Sequence, residues 1–288
     1  MNGGYVARFD LLTDEFIDII TVGTGPALMT IDPANNTLFC SRMVMMGGSS
    51  GSNIITEINY TETEMSLGDH EFTLDSYQLH GITYDYNKKN IIVTSILHDW
   101  LYKIPLDGDA VTSLSMHQSA GYLENNPANL LQPIRTIVLN DNLIAISCSA
   151  PPDGINGQVQ MWNISTNPMS KVATYEFNSA SMPWHLIKSP NSNDIFVVLR
   201  GDSGEGGVVR LGYNEEGFNN APEWQYHNII FNTFHGITID ENGEYIYVTS
   251  AGENKLYQFS ASNGVLIDEI QLGLNPGGLS IMQSICRG

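Results

Sequence analysis

HGITYDYNKKNIIVTS (residues 80–95), HLIKSPNSNDIFVVLR (residues 185–200) and HGITIDENGEYIYVTS (residues 235–250) are three copies of one pattern. Each opens on His-x-Ile, crosses a polar turn and re-enters an apolar run. Working outward, six units begin near Ala27, His80, Ile134, His185, His235 and Gly277, at spacings of 53, 54, 51, 50 and 42 residues. The unit at His235 shows the grammar whole. A first strand covers Ile237 to Ile239, a turn runs from Asp240 to Gly243, and a second strand covers Tyr245 to Ser250. A third strand, Lys255 to Ser260, and a fourth, Val265 to Leu272, flank the turn Ser262-Asn263-Gly264. The Asn-Gly pairs supply the positive φ that tight hairpins need. Four antiparallel strands recurring every forty to fifty residues or so predict an all-β, six-bladed β-propeller. No sustained 3.6-residue apolar period argues for helices.

The two ends extend the pattern. GYVARFDLLTDEFIDIITVG (residues 4–23) aligns with KLYQFSASNGVLIDEIQLG (residues 255–273), the third and fourth strands of the fifth unit. PGGLSIM (residues 276–282) aligns with a first strand. Both termini are therefore expected to share the last blade, with three or four strands, closing residues 1–288 into one domain without open sheet edges.

Composition narrows the function. The chain is 42% hydrophobic and only 15% charged, which suits a turn-rich globular protein. Twelve Lys and Arg against 31 Asp and Glu give a net charge of −19, a surface that repels a nucleic-acid backbone. Acidity of this kind serves solubility, or attracts cations. Cys40, Cys148 and Cys286 are odd in number and far apart, so buried free thiols are expected rather than a disulfide framework. No apolar run is long enough to span a membrane. No signal peptide is visible, but the chain starts inside a strand pattern at Gly4 to Phe9, so a targeting segment is expected upstream. The expected location is extracytoplasmic (periplasmic, cell-surface or secreted), and a closed ring needs no second copy to cover its edges.

Residues Tyr5 to Ser41 carry Val22-Gly23-Thr24-Gly25-Pro26 and Ile31-Asp32-Pro33. This stretch resembles the YVTN-type propeller repeats, which place a Val-Gly-x-x-Pro turn before an Asp-Pro hairpin. The resemblance implies the fold along nearly the whole chain. It leaves function open, since such repeats serve surface proteins, lactonase-like enzymes and lyases alike.

First strands of a propeller line its channel, so their starts ring one mouth together with the loops between second and third strands. That ring holds Ala27, His80, Ile134, His185, His235 and Gly277, with Arg135, Trp184 and Met182 beside it. A register one residue away puts Trp184 in the ring instead of His185. The adjoining loops are long at residues 42–51, 149–157 and 200–207, and polar at His98-Asp99-Trp100. Arg42, Arg135 and Arg200 stand out where basic residues are scarce. They suit clamping a carboxylate or phosphate, or pairing with acids such as Asp202. Met43, Met45 and Met46 suit an adaptable surface or, less simply, soft copper ligation. Walker and dinucleotide motifs are absent.

Three imidazoles at one mouth could hold Zn²⁺ or another divalent transition metal, with a position left for water or substrate. The placement of His80, His185 and His235 resembles the peptidyl-hydroxyglycine amidating lyases, propellers whose zinc sits on strand-opening histidines. The resemblance implies these three as metal ligands. The residues before them are Leu79, Trp184 and Phe234 where that family has Pro, and its paired cysteines are absent. Two functions follow as expectations. One is a binding or scaffold protein that holds a small-molecule or protein ligand at the mouth. The other is a metal-dependent lyase or lactone hydrolase, with Arg42, Arg135 or Arg200 orienting an anionic substrate.

Overall fold

The structure, a computed structural model, describes residues 4–10, 13, 15–43, 53–116, 130–150, 155–177, 181–201, 206–228 and 234–279. The chain divides into two compact units, Met1–Glu124 and Asn125–Gly288. Among the described residues there is no α-helix, and so none long and apolar enough to cross a membrane.

Unit 1 begins with a two-stranded sheet, β1 (Gly4–Asp10) on β2 (Glu15–Gly23). Two four-stranded antiparallel sheets follow. One is β3 (Pro26–Asp32), β4 (Thr37–Arg42), β5 (Ile54–Tyr60) and β6 (Met65–Thr73); the other is β7 (Leu79–Asp85), β8 (Asn90–Ser95), β9 (Trp100–Pro105) and β10 (Thr112–Ser115). Unit 2 continues with β11 (Pro133–Val138), β12 (Leu143–Cys148), β13 (Gln158–Asn163) and β14 (Ser170–Glu176). Next come β15 (Pro183–Lys188), β16 (Asp194–Leu199) and β17 (Gly206–Asn214), where β17 pairs with both the short β18 (Gly217–Phe218) and β19 (Trp224–Asn228). The last sheet is β20 (Phe234–Ile239), β21 (Tyr245–Ser250), β22 (Lys255–Ser260) and β23 (Leu266–Gln271).

The four-stranded sheets run first to fourth strand in order, the blade that the repeat predicts. Burial grades across it. The second strands β8, β12 and β16 are buried at every position, whereas β6 and β23 are mostly exposed. That gradient is why second strands read as unbroken Ile/Val runs. Cores form between neighbouring sheets: Phe39 and Ile55 pack with Leu79, Ile82 and Val93 in unit 1, and Val198 and Phe196 pack with Phe234, Ile237 and Val248 in unit 2. Cys40 and Cys148 are free and fully buried, as expected, and burial pushes the Cys40 thiol up to about 11. Cys286 lies outside the described residues.

Two recurring devices fix where each first strand starts. The first is a left-handed residue just before it: Gly25 (φ 67°), Gln78 (φ 61°), Gln132 (φ 52°) and Met182 (φ 34°). Its carbonyl accepts the N–H that follows the second strand, from Met43, Ile96, Ser149 and Arg200 respectively. Side-chain-bearing residues adopt this conformation only when surrounding contacts hold them there.

The second device is a hydroxyl. Every first strand carries a one-residue bulge near its start. Opposite the bulge, Ser41, Ser147 and Thr249 occupy the penultimate position of their second strands. Ser41 accepts the Leu28 N–H and donates to the His80 carbonyl at 2.7 Å. Thr249 accepts the Gly236 N–H at 2.9 Å and donates to the Gly277 carbonyl at 2.6 Å. Ser147 donates to the Trp184 carbonyl at 2.5 Å. The hydroxyl thus satisfies a bulged N–H in its own blade and latches the start of the next. Gly277 stands in this scheme where His80 and Trp184 do, so the sequence grammar extends to its sixth start. Residues 280–288, on which the strand count of the last blade depends, lie outside the described residues.

Ser147→Ala and Thr249→Ala should each cost about 1–2 kcal/mol, because a buried polar group loses its partner. Chemical denaturation measures this, and Thr249→Ser, which keeps the hydroxyl, should recover most of the loss.

Candidate functional site

Strand pairing settles the register that the sequence left open. Leu79 faces Ser95, Pro183 faces Leu199 and Phe234 faces Ser250, so these three first-strand residues are equivalent. His80 and His235 therefore share the second position, which Trp184 takes in β15. His185 sits one residue further on, equivalent to Gly81 and Gly236. The shared His-x-Ile string hid this offset, because β15 begins one residue earlier relative to its histidine. Arg135 takes the same third position in β11 that His185 takes in β15.

The second-strand arginines are offset likewise. Arg42 is the last residue of β4 and matches Leu199, while Arg200 matches Met43. Arg42 stays local in unit 1. Its Nε donates to the Thr24 carbonyl at 3.3 Å, and its guanidinium lies against Gly23 (φ +88°), where a Cβ would come within 2.3 Å. His80, also in unit 1, is buried and gives its carbonyl to the Ser41 latch.

Unit 2 brings four functional candidates together, on the adjoining strands β15 and β20 and on the residue after β16. The Arg200 guanidinium carbon lies 4.6 Å from the centre of the Trp184 ring, a cation–π contact. Trp184 is 5.7 Å from His235, and His235 is 5.1 Å from His185, centre to centre. Trp184 and His185 stack at 6.3 Å. The order is Arg200, Trp184, His235, His185. The Met182 carbonyl anchors the Arg200 backbone at 3.0 Å, which is how the left-handed turn places the guanidinium over the indole.

Among the described residues, the charge acting on His235 is positive. Burial, and then the positive charge of Arg200, hold the His235 pKa below the ordinary 6.5, and no carboxylate acts on it. The imidazole is neutral near neutral pH. Its Nδ1 is buried with no hydrogen-bond partner among the described residues. Arg135 is half-buried, burial lowers its pKa, and no hydrogen bond or ion pair holds it among the described residues. A guanidinium set into protein without a counter-charge is costly. Among the described residues no group of three or more His, Cys, Asp or Glu is placed to hold a metal ion. Most of the loop 42–51, residues 151–154 and 202–205, and with them Met45, Met46 and Asp202, lie outside the described residues.

No protein-family model matches the chain, and no curated protein matches it. Solved structures do. A chain of hydrazine synthase from Kuenenia stuttgartiensis superimposes with a TM-score of 0.74 at 13% identity, covering 95% of this chain and 82% of that one. A β-propeller domain from Myceliophteria thermophila gives 0.71 at 9% identity, with coverage of 96% and 83%. A functionally unknown protein from Desulfotomaculum acetoxidans gives 0.68 at 14% identity, with coverage of 94% and 79%. The chain has the β-propeller fold. At these identities the likeness reaches the fold alone, and the neighbours include an enzyme beside proteins of other kinds.

Because His235 titrates lower in the folded protein than in the unfolded chain, the unfolded state takes up the proton first as pH falls below 6.5. Stability is lost through that window, and the loss levels off below the folded pKa. His235→Asn should therefore lose less melting temperature than wild type between about pH 7 and pH 5. Arg200→Met should raise the His235 pKa part of the way to 6.5, as read by NMR titration.

Proposed function

We propose that this protein is a binding propeller that captures a small anionic ligand, a carboxylate or phosphate, on Arg200, His235 and Trp184, with Arg135 as a further positive group. One observation carries this reading: among the described residues the charge acting on His235 is that of Arg200, whose guanidinium lies 4.6 Å from the centre of the Trp184 ring, with no carboxylate opposing it, in a chain where acids outnumber bases 31 to 12. An anion seated there accepts from the Arg200 fork and from His235 Nδ1 in its protonated tautomer, and gives that buried nitrogen a partner. Trp184 lies against the guanidinium, so less side-chain freedom is lost on binding. An extracytoplasmic, YVTN-type identity belongs to the same proposal, supported by the Val22-Gly23-Thr24-Gly25-Pro26 and Asp32-Pro33 pattern.

A transition-metal site is the second reading. Its support is the pair of adjacent rings, His185 and His235, and the buried, unpartnered His235 Nδ1. The positive charge of Arg200 that disfavours a proton on His235 disfavours a metal cation too, so the anion reading comes first. Lyase or lactone-hydrolase chemistry belongs to this second reading.

Calorimetric titration with inorganic phosphate and with citrate decides for or against the first reading. Binding that Arg200→Met weakens about tenfold or more, and that His235→Phe also weakens, is expected. Equal affinity in wild type and Arg200→Met would overturn it. Elemental analysis of tag-free protein tests the second: about one equivalent of zinc, lost in His185→Ala, would favour the metal.

A further inference from the structure

Unit 1 holds a separate cavity of about 400 Å³ with a different character. Asp75, Ser76 and Tyr77 from the β6–β7 connection line one side. His98, from the β8–β9 turn, and Trp100 and Tyr102, on β9, line the other. Trp100 and Tyr102 are two residues apart and project from one strand face, their rings 6.2 Å apart and tilted by 31°. Tyr102 is core, and Trp100 packs partly over it. Tyr77 is 46% exposed and faces the opening.

A chain of single-proton groups fixes the polarity of the wall. Ser95 Oγ donates to the Tyr77 carbonyl at 2.6 Å, so it can only accept from Ser76 Oγ, 2.8 Å away. Ser76 has then spent its own proton, and its 2.8 Å contact with His98 Nδ1 requires Nδ1–H to be the donor. His98 is left with Nε2 as an acceptor. Ser76, its proton directed away from the cavity and its oxygen occupied, is a strut and not a nucleophile. Asp75 is exposed and makes no hydrogen bond or ion pair among the described residues. Its negative charge is felt at Tyr102, whose phenol is pushed up first by burial and further by Asp75. Among the described residues no lysine or arginine lines the cavity.

The walls therefore offer a carboxylate, an imidazole acceptor and the negative faces of aromatic rings. The complementary guest is positive and rich in donors. We propose that this cavity binds a primary alkylammonium group, as a free amine or as a lysine side chain, with Asp75 and His98 Nε2 accepting its N–H groups and Trp100 and Tyr77 flanking its charge. The site is independent of the anion site in unit 2 and survives if that reading fails.

The test follows the Trp100 indole N–H by two-dimensional NMR, assigned with Trp100→Phe, while n-butylammonium is added to the full chain. Saturable shifts at Trp100 are expected, with the Trp184 signal unmoved. Asp75→Asn, a surface change that leaves folding intact by circular dichroism, should weaken binding about tenfold, and Arg200→Met should not affect it. Tighter binding of Nα-acetyl-lysine amide than of butylammonium identifies a peptide source, and the reverse identifies a free amine. No shift with either amine, an unchanged affinity in Asp75→Asn, or preferential binding of neutral glucose would overturn the proposal.

Discussion

In three blades a single hydroxyl, Ser41, Ser147 or Thr249, joins one first strand to the next. A bulge at the start of a first strand leaves a backbone N–H without a ladder partner, and a buried orphan of that kind costs on the order of 1–3 kcal/mol. Ser41 and Thr249 cancel that cost within their own sheets and spend their single proton on the carbonyl opening the next blade. A defect in one sheet thus becomes a joint between two. The left-handed residue before the strand sets the other boundary, and its carbonyl anchors the residue leaving the second strand. Together they place first-strand starts and second-strand exits with little freedom, which is what a site built from several blades requires.

The candidate anion site falls where this scheme changes. Val198 stands in the latch position of β16 and cannot donate, so the β16–β20 joint rests on apolar packing of Phe196, Val198, Phe234 and Ile237. His235 opens β20 beside that joint. Arg200 still leaves β16 through the standard backbone anchor, and Trp184 occupies the ring position that a histidine holds in β7 and β20. The result, among the described residues, is an aromatic cluster with a positive charge beside His235 in a strongly acidic protein. Burial and the charge of Arg200 both disfavour a proton on His235, and the proposed anionic guest would offset that.

The repeat was plainly legible. His-x-Ile, polar turn and apolar run gave the blades, and the predicted second and third strands of the fifth unit, Tyr245 to Ser250 and Lys255 to Ser260, match β21 and β22. Strand alternation magnifies one-residue errors, and there the reading stopped short: His185 shares its string with His80 and His235 but not their position. The sequence did flag Arg200, Arg135 and Trp184 individually. It could not show the guanidinium lying on the indole, since that depends on the Met182 turn, nor the cavity around Asp75 and Trp100, whose walls are joined only by folding. The hydroxyls were visible as Ser or Thr at the penultimate position of second strands, a signal that reads as ordinary strand composition until the bulge opposite is known.

Crystals of the protein soaked in selenate, with data collected at the selenium edge, test the central claim most directly. The account predicts an anomalous peak within hydrogen-bonding reach of Arg200 and His235 in unit 2. A transition-metal peak on His185 and His235, or selenate bound only at sites remote from Arg200, would contradict it.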